Sequence, residues 1–134
     1  MMVALASRAA EGEGRRERLR RSRAAAVALR VAFPAVEQLR IELVFEGSSS
    51  STPAPQSHVL HPPARAFFEF PCPYADCDGQ FDLKAAVNAA LTDATHRAQA
   101  SLECPGKRTR HIGSKQPCQL RLICTVQATY QPQT

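Results

Sequence analysis

The stretch FPCPYADCDGQFDL, residues 70–83, sets two cysteines around four intervening residues and follows them with a helix-like segment. Pro71 and Pro73 before the loop and Gly79 after it suit a tight reversal, one that aims the thiols of Cys72 and Cys77 and nearby backbone N–H groups at one point. Taken alone, the pair leaves three readings open: a metal knuckle, a disulfide corner, or a turn that contains two buried thiols.

The flanking patterns set the fold. LRIELVFE, residues 39–46, alternates, with Leu39, Ile41, Leu43 and Phe45 on one side, which predicts a half-buried strand. ARAFFEFPC, residues 64–72, predicts a second strand with Ala66, Phe68, Phe70 and Cys72 on its apolar face. Asp82 is placed to cap a helix, LKAAVNAALTDA, whose apolar stripe is Leu83, Val87, Ala90, Leu91 and Ala94. RAQASLEC, residues 97–104, alternates again, and a long fourth strand from Cys118 to Tyr130 keeps Leu120, Leu122, Cys124, Val126 and Ala128 together. The link PGKRTRHIGSKQP between those two strands reads as a long hairpin loop. The expected fold is therefore α+β: an antiparallel four-stranded sheet in the order β-β-α-β-β, with one helix across a face and a four-cysteine site at one end.

Length and charge divide the chain. Its 134 residues fit one domain with a modest core, which a metal or covalent staple would help to stabilise. The net charge of +5 lies entirely in the first thirty residues, where eight arginines stand against three glutamates; the remainder is neutral. Residues 1–35 are expected to be a basic arm, disordered or loosely helical, ahead of a domain spanning 36–132. Arg30 interrupts the only leader-like apolar run, and the three glutamates argue against a transit peptide. No run approaches the roughly eighteen apolar residues of a membrane span. A cytoplasmic protein is expected. GSSSSTPAPQSHVLHPP, residues 47–63, reads as a flexible Ser/Pro-rich insertion.

Four of the five cysteines form two pairs, Cys72 with Cys77 and Cys104 with Cys118. Strand parity puts Cys72, Cys104 and Cys118 on apolar faces near strand ends. A tetrahedral zinc site takes four thiolates from two places in the chain, and the four-residue gap in CPYADC falls within the usual range. Two disulfides would require an oxidising compartment, and separate buried thiols need no partner at all. Cys124, in mid-strand between Leu122 and Val126, reads as core.

On these residues the chain resembles the four-cysteine zinc-ribbon and zinc-knuckle domains over about residues 70–120. It departs from the standard ribbon in having thirteen residues between Cys104 and Cys118. The resemblance implies one structural zinc ion and no particular reaction. Four thiolates fill the tetrahedron and leave no place for an activated water, so the expectation is a non-catalytic structural or protein-interaction module. A zinc deaminase is excluded, because the cysteine spacing is wrong and no His-x-Glu occurs. Asp76 and Asp78 read as turn residues, His58 and His61 as insertion residues, and His96 as a cation at the helix end. Two further readings remain. Lys107, Arg108, Arg110, His111 and Lys115 form a basic loop that, with the arginine arm, would contact nucleic acid or another polyanion. Alternatively, the thiolates would act as a redox switch that releases zinc on oxidation.

Overall fold

The computed structural model describes residues 2–47, 52–111 and 114–132, with side chains from residue 14 onward except those of Arg110 and His111. Mixed helix and strand surround a four-stranded antiparallel sheet, so the α+β class stands. Its strands are β1 (Val36–Glu46), β2 (Gln56–Leu60), β5 (Arg97–Glu103) and β8 (Arg121–Tyr130), in the order β2-β1-β8-β5. Two small hairpins accompany it: β3 (Glu69–Pro71) with β4 (Gln80–Asp82), and β6 (Lys107–His111) with β7 (Ser114–Pro117).

The alternating residues fall where their parity puts them. Leu39, Ile41, Leu43 and Phe45 of β1 and Leu122, Cys124, Val126 and Ala128 of β8 are buried on one face, opposite each other in register. That face is covered by helix α3 (Lys84–Thr92), which buries Ala86, Val87 and Ala90. Asp82 Oδ1 accepts the Lys84 N–H at 3.0 Å, satisfying one of the donors that a helix start leaves unpaired. At the far end, Tyr130 donates to Leu91 O at 3.2 Å. A tight turn then follows in which His96 adopts a left-handed φ of 56° and leads into β5.

Two expectations need correction. The expected second strand, residues 64–72, does not join the main sheet: only Glu69–Pro71 is extended, and it pairs with Gln80–Asp82. Upstream, its backbone is committed elsewhere, since Leu29 donates to Ala64 O and Ala66 to Val27 O, while Pro62, Pro63 and Pro71 have no N–H to offer a ladder. The vacated place beside β1 is taken by Gln56–Leu60 from the segment read as an insertion; its residues 48–51 lie outside the described residues. The antiparallel four-stranded sheet is present, but its second strand is a different piece of chain, and two further helices and two small hairpins stand outside the expected β-β-α-β-β order.

The N-terminal segment forms α1 (Met2–Ala25) and a short α2 (Leu29–Ala32). Leu19 and Leu29 are buried, and Leu29 belongs to the same core as the sheet residues. No helix among the described residues is long and apolar enough to cross a membrane.

Candidate metal centre

Cys72 follows β3, Cys77 lies in the loop that joins it to β4, Cys104 follows β5, and Cys118 precedes β8. Two loops, 72–79 and 104–118, therefore deliver sulfur to one place. All four side chains are buried and unbridged, and their sulfur atoms lie within 4.8 Å of one another. Cys72 Sγ is 3.9 Å from Cys118 Sγ, and Cys77 Sγ is 3.6 Å from Cys104 Sγ. Metal–sulfur bonds of about 2.3 Å at tetrahedral angles separate the sulfurs by about 3.8 Å, so the observed spacing fits a divalent ion at the centre. A disulfide needs about 2.05 Å.

The local backbone is arranged for thiolates. The N–H two residues beyond the cysteine points at sulfur in three cases, Tyr74 to Cys72, Gly79 to Cys77 (3.3 Å) and Gly106 to Cys104. Such donors favour the charged form. Within the cluster, hydrogen bonds from Cys72 and then Cys77 hold the Cys104 thiol well below its ordinary value. The bond to Cys104 pushes Cys72 up, with burial adding to it, and Cys104 likewise pushes Cys77 up. Crowded thiols thus ionise unequally, and bringing all four to the thiolate state calls for a cation among them.

The two ligand loops are stitched directly together. Asp78 Oδ1 accepts the Lys107 N–H at 2.7 Å, and the Asp78 N–H donates to Lys107 O at 3.2 Å. Thr109 N–H donates to Asp76 O. Asp76 also accepts Arg108 Nε at 3.0 Å, both side chains being largely buried, and the Arg108 guanidinium stacks 3.7 Å from the centre of the Tyr74 ring. Gly79 and Gly106 sit at the crossing of the loops, where a side chain on either would collide with the other.

A buried cation completes the site. Arg15 of α1 is 2 % exposed, and its Nη1 donates to the carbonyls of Cys77 and Gly79, the latter at 3.2 Å. Its Nε has no hydrogen-bond partner, and no carboxylate pairs with it among the described residues. A buried guanidinium bonded to the Cys77–Gly79 loop requires compensating negative charge. Four thiolates around a divalent ion would supply it, at a net −2.

The four predicted cysteines are thus brought together, while Cys124 stands apart in the core, its thiol pushed up by burial. Arg108 turns inward onto Asp76 and Tyr74, Lys107 and Lys115 are exposed, and the side chains of Arg110 and His111 lie outside those described. Phe67 is half-buried, with the Arg23 guanidinium 5.5 Å from its ring centre. His58 packs its ring 4.7 Å from that of Phe70, and His96 stacks on Tyr130. Sequence reading missed Asp76, Asp78, Arg108 and Arg15 as parts of the centre. One signal was present: Cys77-Asp78-Gly79 and Cys104-Pro105-Gly106 share a Cys-x-Gly pattern, which marks both as sulfur-facing turns. Comparison with protein-family models, with curated proteins and with solved structures gives no match.

Proposed function

We propose that the chain is a small non-catalytic domain held by one structural zinc ion on Cys72, Cys77, Cys104 and Cys118, and that it acts as a protein-interaction module in a reducing compartment. The observation that carries this reading is the convergence of four buried sulfurs at metal-binding separations, from two loops tied to each other by backbone hydrogen bonds. An all-sulfur donor set selects zinc over the hard cations, and four protein ligands leave no open coordination position for a Lewis-acid step. The ion's role would be to fasten the 72–79 loop to the 104–118 hairpin at the end of a sheet that is short of core.

Metal analysis with thiol counting on the purified chain tests it. One zinc per chain, with four thiols that become reactive only after chelation, is the expected result. Two disulfides and no metal would overturn it.

A polyanion-binding role is the second reading, in which the arginines of α1 act together with the basic 107–115 loop, where Lys107 and Lys115 are exposed. Arg16, Arg18, Arg20, Arg21 and Arg23 are exposed along this helix, with Glu17 paired to Arg20 and Arg21. Such binding would show steep salt dependence on heparin, lost when those arginines are replaced.

A further inference from the structure

We propose that the free edge of β5 is a self-association surface, on which two copies of the chain pair antiparallel about a two-fold axis through Ala100. The inference rests on the main sheet and is independent of the metal reading.

β5 closes one side of the sheet. Its even-numbered positions spend their backbone groups on β8: Ala128 N–H donates to His96 O, Cys104 N–H donates to Leu120 O, and the register between them has no shift. The alternation of an antiparallel ladder then turns the N–H and C=O groups of Arg97, Gln99, Ser101 and Glu103 outward. Among the described residues no segment pairs with them. Natural edges are ordinarily blunted by proline, a bulge, a central lysine or a covering element. This one runs seven residues, RAQASLE, with no proline, glycine or bulge, and it is uncharged between its two ends.

The charges choose the occupant. In an antiparallel pair centred on Ala100, Arg97 of each copy faces Glu103 of the other, Gln99 faces Ser101, and Ala98 faces Leu102. Sliding the register by one residue exchanges the apolar and polar faces, and sliding it further separates the opposite charges. The strand is thus complementary to itself in one register. Its outward backbone groups meet their counterparts there, because the Arg97–Glu103 and Gln99–Ser101 pairs are the hydrogen-bonded ones. Ala98, Ala100 and Leu102 pack against the core yet stay half-buried, as expected of apolar residues with a neighbour on one side only; a second copy would cover the other side. Glu103 already reaches Arg121 at 3.5 Å, but its side chain is 80 % exposed and can accept a second guanidinium.

A single strand edge buries less than the standard interface of about 1,600 Å², so association in the micromolar range is expected. Sedimentation velocity of the full chain as purified, from about 1 to about 300 µM, provides the test. The expected result is a mass rising from one chain toward two. R97E alone or E103R alone should weaken association about tenfold or more, because each creates two like-charge pairs. An equimolar mixture of the two variants should restore it, since opposite charges again meet at both ends. Gln99→Pro removes an outward N–H while leaving the β8 ladder intact, and should abolish association without changing the unfolding transition by more than a small amount. A monomer throughout the range overturns the proposal. So does an association that survives the single charge reversals, or one that the mixture fails to restore.

Discussion

Gly79 and Gly106 meet back to back beside the sulfur cluster. A Cβ on Gly79 would stand 2.5 Å from Cys104 Sγ and 2.8 Å from Gly106 N, and one on Gly106 would fall inside the envelope of the Gly79 backbone. Neither neighbour is a flexible side-chain end that could swing away. Gly79→Ala and Gly106→Ala should each cost about 1–3 kcal/mol, the usual cost of overpacking, and lower metal affinity about tenfold. Gly14→Ala, with open space around it, should leave affinity unchanged. Chelator competition combined with thermal unfolding measures both effects.

The four clustered cysteines and Cys124 should separate cleanly in a substitution series. Serine at 72, 77, 104 or 118 removes one thiolate, and the thiolate-to-metal charge-transfer bands of the cobalt-substituted protein should weaken in each case. Cys124→Ala should keep one metal per chain and cost about 1 kcal/mol for the small cavity it opens in the core. Loss of metal in the Cys124 variant alone would contradict the assignment of ligands.

Arg15 should matter to the metal more than to the helix. Arg15→Met keeps a long stem but removes the cation bonded to the Cys77 and Gly79 carbonyls, so metal affinity should fall about tenfold while α1 keeps its helicity. Arg15→Lys retains charge without the planar fork that spans two carbonyls, and should recover part of the loss. Equal affinity in all three proteins would reduce the residue to packing.

His58 gives the domain a dependence on acidity. Burial, followed by the charge of Arg23, lowers its pKa from 6.5, so the folded chain prefers the neutral ring against Phe70. Its contribution is complete above 6.5 and is lost as pH falls through the lowered folded value, because the unfolded chain then binds a proton that the folded chain resists. Denaturant titrations between pH 7.5 and 5 should show stability declining toward acid, with a flatter profile in His58→Gln. A stability that rises toward acid in the parent chain would contradict this sign.

Much of the fold was legible because period-two patterning survives wherever one face is buried. Leu39 through Phe45 and Leu122 through Ala128 read correctly for that reason, and Asp82 announced the helix. The strand beside β1 was not legible. Gln56–Leu60 carries three polar residues and sits among prolines, while Ala66–Phe70 looks like better strand material. The decision lay in long-range bonds from residues 27 and 29 to 64 and 66, which no local pattern encodes. The cysteines could be read from spacing and parity. Their supports could not, since Asp76, Asp78 and Arg108 look like ordinary turn and loop residues until two loops separated by some thirty positions are brought face to face. Arg15 was hidden by its neighbours, one arginine of eight in a basic run.

Because Cys72 and Cys118 are 46 positions apart, an ion held between them is also a cross-link that fastens distant parts of the chain. Occupancy and folding then rise and fall together by mass action, with about 2.7 kcal/mol gained at a free-ion concentration one hundred times the dissociation constant. With zinc bound there as proposed, a cell that buffers the ion would set, through that buffer, how long the protein survives its proteases.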